Sequence, residues 1–158
     1  MYSTNTVHVA ADPARMFALA ATVENWPLLL PHYRWVRVLG RRGPLTLLDM
    51  AARRGAFPLR WQAVQGVYPA ERLITYHHVG GITRGMRVVW QLVPERDGVE
   101  VTIRHRFEPA WPLVSDALVQ RVVGDYFVEH VAGQTLQHLR RHAEADPAER
   151  DVLPGRTT

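Results

Sequence analysis

The feature that most constrains this chain is a change of hydrophobic period. Between residues 33 and 107 apolar side chains recur at every second position in six runs, at approximately 33–39, 45–53, 58–67, 72–79, 84–93 and 99–107. The breaks between them carry turn chemistry: residues 40–44, residues 55–58, Tyr68-Pro69-Ala70, Gly80-Gly81 and residues 94–98. Connections this short are hairpins, because a parallel crossover needs about a dozen residues or more. After Pro109 and Pro112 the pattern turns helical and stays so to about residue 145. There Val119, Val123, Phe127, Val131, Thr135 and Leu139 recur every four positions, with Val122, Tyr126 and Leu136 widening the stripe. Such a helix would be roughly 45 Å long at 1.5 Å per residue, enough to cross a whole sheet.

Ahead of the meander, residues 4–10 alternate as a strand, with Val7 and Val9 on one face and His8 on the other. Asp12-Pro13 then supplies an N-cap carboxylate before a proline at the first helical position, and Met16, Phe17, Leu19 and Ala20 make a short amphipathic helix. Residues 22–30 read as a second short helix, restarted at Asn25-Trp26-Pro27 and stopped by Pro31. The expected class is therefore α+β: a curved seven-stranded antiparallel sheet wrapped around a long C-terminal helix, with two short helices after the first strand. A curved sheet gripping one helix rarely closes, which predicts a deep internal cavity of the concave, apolar kind that takes small molecules. One domain is expected over residues 1–145 and a flexible tail over 146–158. No internal repeat or low-complexity tract is found.

The residue inventory removes several chemistries. With 158 residues the chain needs no covalent staple, and it has no cysteine, which excludes thiol nucleophiles, Cys-ligated zinc and iron–sulfur clusters and fits a reducing cytoplasm. All 19 basic residues are arginine, so lysine-based Schiff-base, phosphate-binding and general-base roles are closed. The only serines, Ser3 and Ser115, lie outside any Gly-x-Ser-x-Gly turn. No run approaches the ~18 apolar residues of a membrane span, and residues 1–6 have neither a basic nor an apolar leader region. A soluble, unprocessed, cytoplasmic protein is the expectation.

Several segments, taken in order, carry a resemblance. Val9-Ala10-Ala11-Asp12-Pro13-Ala14 with Phe17 and Ala18, then Val23-Glu24-Asn25-Trp26-Pro27 with Leu30-Pro31 and Tyr33, resemble the opening of polyketide cyclase/aromatase and coenzyme-Q-binding proteins. These belong to the START-like, or SRPBCC, helix-grip superfamily. Trp61, the pair Met86 and Trp90, and Phe107 are similar to the cavity-lining pattern of monodomain aromatase/cyclases. The resemblance spans approximately residues 7–143 and implies the helix-grip fold. The activity it implies is intramolecular aldol cyclisation with dehydration of a poly-β-ketone.

Alternation groups Met86, Val88, Trp90 and Leu92 on one face of the sixth run and Phe57, Leu59, Trp61, Ala63 and Gln65 on one face of the fourth; these are expected to face inward. Trp61 and Trp90 would stack on a flat ligand while Met86 adapts to its outline, and plain core filling is the alternative. The expected ligand contacts are Trp26, Trp61, Gln65, Met86, Trp90, Phe107 and Phe127. Tyr33 corresponds to a pocket-mouth tyrosine of the aromatase/cyclases, able to give a proton to a carbonyl. Gln65 stands where those relatives carry an arginine that binds a polyketide oxygen; an amide can hydrogen-bond that oxygen but brings no charge. Candidate replacements are Tyr76, His77 and His78 in the fifth run and His105 in the last. Either His77 or His78 faces inward, and His105 shares a face with Val101, Ile103 and Phe107. Tyr33, His78 and His105 are the candidate catalytic residues. His138 and His142 have a zinc-compatible i, i+4 spacing, but without a Glu-centred motif they read as cations of a last helical turn. No metal or cofactor is expected.

Residues 34–60 hold seven arginines, Arg34, Arg37, Arg41, Arg42, Arg53, Arg54 and Arg60, against the single acid Asp49. A solvated face is the simplest reading, and docking of an acidic acyl carrier protein is the functional one. Nothing resembles an RNA-reading motif. Three functions stay open: a cyclase/aromatase-like enzyme, a non-catalytic quinone- or lipid-binding protein, and an interaction protein acting through the basic segment. A homodimer through the hairpin edges also stays open.

Overall fold

A computed structural model describes residues 1–108, 117 and 120–145. The strands are β1 (Tyr2–Val9), β2 (Tyr33–Arg42), β3 (Leu45–Arg54), β4 (Phe57–Tyr68), β5 (Leu73–Gly81), β6 (Arg87–Glu95) and β7 (Gly98–Arg106). Between β1 and β2 lie helix α1 (Pro13–Ala21), a 3-10 turn (Val23–Asn25) and helix α2 (Trp26–Leu29). All seven strands form one sheet in the order β1-β7-β6-β5-β4-β3-β2, and every pairing is antiparallel. The meander is the one expected from the turn chemistry. Its first hairpin is tighter than the 40–44 break suggested. The chain reverses at Gly43-Pro44, with Gly43 at a φ of 57°, so β2 and β3 run closer to the turn.

α1 starts where the sequence places it: the Asp12 carboxylate accepts the Arg15 N–H at 3.2 Å and Pro13 occupies the first turn. Its buried side, Met16 and Ala20, faces the core.

The C-terminal helix is where the structure departs from expectation. The described part is not one α-helix but a π-helical segment (Gln120–Ala132) followed by helix α3 (Gly133–Glu144). The four-residue apolar row runs through both segments. Phe127 and Val131 lie on the π-helical segment and Thr135 and Leu139 on α3, all four buried. The expected helical start before residue 117 and the tail at 146–158 lie outside the described residues.

The helix is fixed to the first two helices by polar ties. Arg15 donates to the His142 carbonyl at 2.6 Å, His142 Nε2 donates to the Leu29 carbonyl at 3.0 Å, and Glu144 accepts the Ala10 N–H at 3.1 Å. His138 Nδ1 donates to the Gln134 carbonyl at 2.9 Å. The i, i+4 histidines thus serve separate backbone acceptors, and no metal-binding group of three or more such residues occurs among the described residues.

Candidate functional site

The concave face of the sheet points its alternate residues at the helix. β4 supplies Trp61, Ala63 and Gln65, and β6 with the residue before it supplies Met86, Val88, Trp90 and Leu92. β7 supplies Val101, Ile103 and His105, with Phe107 just past its end; all are buried. Phe57, grouped with the inward face of β4 from its alternation, is 69% exposed at the end of the β3–β4 hairpin. On β5 the register is settled: Ile74, Tyr76 and His78 are buried on one face and His77 is exposed on the other.

Seven of the ten candidate residues line one gap between sheet and helix: Trp26, Tyr33, Trp61, His78, Trp90, His105 and Phe127. Met50, Tyr76, Val88, Val131, Ala132 and Thr135 complete it. Gln65, Met86 and Phe107 are buried but stand outside the lining. The gap is small. It encloses about 40 Å³, room for a few waters, against the roughly 300–1,000 Å³ of ordinary ligand pockets. The deep cavity expected from the topology is closed here by aromatic rings. Trp61 lies parallel to His78 with centroids 6.1 Å apart, and Phe127 stands edge-on to both at 5.0 and 5.5 Å. Trp26 meets Tyr33 edge-on at 5.2 Å and tilts against Trp90 at 6.2 Å.

The polar groups divide into fastened and unfastened. Gln65 is fastened: its amide donates to the Ala21 carbonyl at 3.0 Å and the Tyr76 hydroxyl at 3.1 Å. Trp26 donates its indole N–H to the Leu19 carbonyl at 3.1 Å. His78 Nδ1 has one partner, the Thr83 hydroxyl at 2.6 Å. His105 Nδ1 is enclosed with no hydrogen-bond partner among the described residues. His32, which lies just past α2 and carries no motif or periodicity of its own, is buried beside Tyr33. Its Nε2 donates to the Thr135 hydroxyl at 2.9 Å, and Thr135 passes its own proton to the Val131 carbonyl at 2.7 Å.

Burial sets the protonation states. It lowers His78 to about 3, helped by the neighbouring His105 and His77, lowers His105 to about 4, and with His138 nearby lowers His32 to about 4. Burial also pushes the phenols of Tyr33 and Tyr76 upward. At neutral pH the described lining of the gap is therefore uncharged, made of protonated phenols and neutral imidazoles. It can offer hydrogen bonds to carbonyl oxygens and can exchange protons, but among the described residues it holds no fixed cation for an oxyanion.

The arginine-rich segment is partly neutralised within the fold. Arg60 makes a two-pronged bond to Asp49 at 2.9 and 3.0 Å, Arg41 pairs with Glu24, and the guanidiniums of Arg34 and Arg37 lie over the Trp35 ring at 5.3 and 4.8 Å. Arg42 and Arg53 have no ion-pair partner among the described residues.

Comparison with known proteins agrees with this architecture. The family model described as polyketide cyclase/dehydrase and lipid transport matches residues 9–123, and the chain belongs to that family. The chain is 31% identical over 111 residues to the granaticin polyketide synthase bifunctional cyclase/dehydratase of Streptomyces violaceoruber. That match takes in 68% of this chain and 34% of the relative, so the chain spans about a third of the relative's length. Among solved structures, an aromatase/cyclase from Streptomyces sp. R1128 superposes with a TM-score of 0.77 at 17% identity, covering 91% of this chain and 93% of that one. A START superfamily protein of Mycobacterium smegmatis gives 0.72 at 19% identity, covering 90% and 97%. These likenesses establish the helix-grip fold. Among the described residues no helix is long and apolar enough to cross a membrane.

Proposed function

We propose that this domain binds a flat aromatic or polyketide ligand between the sheet and the π-helical segment and promotes its aldol cyclisation and dehydration. The observation that carries the reading is the set of uncharged proton-handling groups, Tyr33, His78 and His105, around one aromatic-lined gap. A ligand of this class needs more than the 40 Å³ present, so binding displaces Phe127 and its segment from Trp61 and His78. The rings it uncovers are then the stacking surfaces.

In the proposed reaction the imidazole of His105 takes a proton from a methylene flanked by two carbonyls. The resulting enolate carbon attacks a second carbonyl carbon, a C–C bond forms, and the carbonyl oxygen takes a proton from Tyr33. Loss of a further C–H proton together with the new hydroxyl releases one water and leaves a double bond, and the proton held by His105 returns to the Tyr33 oxygen, so that both groups end as they began. Holding both reacting carbons in register supplies much of the rate, and hydrogen bonds to the developing oxyanion supply more. Tyr33→Phe and His105→Gln are expected to slow ring closure or alter its regiochemistry; unchanged rates and products in both would overturn the enzymatic reading. Arg42 and Arg53, which have no ion-pair partner among the described residues, are the proposed contact for an acidic acyl carrier protein, and their replacement weakens delivery from the carrier but not binding of a free ligand.

A second reading is favoured by Gln65, an amide tied to Ala21 and Tyr76 at the position where, by the resemblance, aromatase/cyclases carry an arginine. On that reading the domain is a non-catalytic carrier of a quinone or lipid, binding an isoprenoid-tailed ligand tightly without turnover.

A further inference from the structure

The β5–β6 connection holds a buried hydroxyl that the pocket itself does not explain. Thr83 is fully buried in a loop between Gly81, at a φ of 83°, and Gly85, at 96°. The loop is closed over the end of β5 by backbone bonds: Gly85 N–H to the His78 carbonyl at 2.9 Å, His78 N–H to the Met86 carbonyl at 2.9 Å, and Met86 N–H to the Thr83 carbonyl at 3.0 Å. A side chain at Gly81 would meet the Arg60 carbonyl at 2.5 Å and the Trp61 Cα at 2.9 Å, so the loop lies directly against the strand that carries Trp61. The Thr83 hydroxyl is thereby pinned to the Nδ1 edge of His78, 2.6 Å away.

That contact fixes a proton. A threonine hydroxyl has one hydrogen to donate, and a buried donor left without an acceptor loses its hydration with nothing in return. Among the described residues the Thr83 hydroxyl has no acceptor other than His78 Nδ1. Thr83 is therefore the donor, Nδ1 the acceptor, and the single ring proton of the neutral imidazole sits on Nε2, for which no described residue is a partner. The reverse tautomer would leave the Thr83 hydrogen stranded in the core.

We infer that Thr83 is a positioning residue that holds His78 in its Nε2–H tautomer, making this imidazole a fixed hydrogen-bond donor to a ligand carbonyl or enolate oxygen rather than a proton acceptor. This rests on the proposed function for the ligand's class, and it assigns His78 a role different from that of His105. His105 Nδ1 has no such hydroxyl. The ladder places His78 one strand across and two residues along from Gln65, since Gln65 pairs with Tyr76 and Ala63 with His78. A neutral donor at His78 can thus serve the oxygen that the aromatase/cyclases bind with an arginine at the Gln65 position. A buried neutral imidazole is effective in this way because it gives a hydrogen bond without having to lose a charge.

The test needs no ligand. Long-range 1H–15N correlation spectra of the imidazole side chains, recorded on the wild-type protein at neutral pH, report which nitrogen of His78 is protonated; His78→Gln assigns the signal. The wild type is expected to show the Nε2–H form, Thr83→Val a mixture containing Nδ1–H, and Thr83→Ser the wild-type pattern. An Nδ1–H wild type, or a Thr83→Val spectrum identical to the wild type, overturns the inference. If Thr83→Val does not fold, the wild-type and Thr83→Ser spectra decide it alone: an Nδ1–H or mixed signal in either is the overturning result. Because the readout is made on the free protein, failure of cyclisation assays leaves it standing, and its own failure leaves the proposed cyclisation open to a His78 that acts as a base.

Discussion

The two faces of the sheet treat their polar groups in opposite ways. On the outward face Arg60 closes over the buried Asp49 carboxylate with two hydrogen bonds. On the inward side lies an uncharged set: Gln65 tied to Ala21 and Tyr76, His78 with the one partner Thr83, and His105 with an enclosed Nδ1 unmatched among the described residues. The buried outward carboxylate is thus matched within the fold. The inward capacity is left facing a gap, and a polar atom kept unmatched in a dry, aromatic setting is costly unless something arrives to use it. The difference teaches that a high count of charged residues marks the less consequential surface here. The surface proposed to be functional is the one whose groups burial has made neutral.

This contrast can be broken by acid. His78 and His105 have folded-state values of about 3 and about 4, below their ordinary value of 6.5. The unfolded chain therefore takes up protons that the folded chain refuses. Stability is complete above pH 6.5 and falls as pH drops toward 4, by up to ~1.4 kcal/mol per pH unit for each histidine, or roughly 4 kcal/mol for the pair at pH 5. Urea denaturation across pH 4.5–7.5 is expected to show this slope, and the double variant His78→Gln, His105→Gln to reduce it to the share that His32 contributes. A wild-type slope equal to the variant's contradicts the burial argument.

Removing a ring of the inner wall comes next. Trp61→Ala leaves Tyr33, His78 and Phe127 without their shared neighbour and should cost about 3–5 kcal/mol, read as a lower urea midpoint. A loss below 1 kcal/mol would mean that the gap is looser than the ring contacts indicate. Gln65→Leu strands the Ala21 carbonyl and the Tyr76 hydroxyl inside the core and should cost about 1–3 kcal/mol. A neutral result there would show that Gln65 turns away from these partners in solution and is free for a ligand. The smallest effect belongs to the outside: Arg42→Gln with Arg53→Gln should change stability by less than ~0.5 kcal/mol and leave binding of a free aromatic ligand unchanged. A clear loss of that binding would move the site from the inner face to the outer one.

The fold was readable in the sequence because period and turn chemistry are local properties. The 33–107 runs and their Gly- and Pro-marked breaks define the meander, and Asp12-Pro13 marks the first helix. The aromatic half of the site was readable for the same reason, since Trp61 and Trp90 follow from alternation along their strands. Other features depend on what meets across space. Alternation alone leaves His77 and His78 equivalent until the sheet face of Ile74 and Tyr76 is known. Thr83 sits in a loop with no periodicity, and only the closure between Gly81 and Gly85 carries its hydroxyl to His78. His32 lies just beyond a helix end and acquires meaning from Thr135, 103 residues later. The closed cavity was not legible either, because its volume is set by how Phe127, Trp61 and His78 pack under a helix of unexpected pitch.

The central claim, that the inner gap opens to take a flat ring, is tested most directly by tryptophan fluorescence. The purified protein and its Trp61→Phe variant are titrated with a tricyclic polyphenol and, in parallel, with an isoprenoid quinone. The account predicts saturable quenching by the polyphenol, reduced in amplitude when Trp61 is replaced. A strictly linear response to both compounds, the same in wild type and variant, would contradict it.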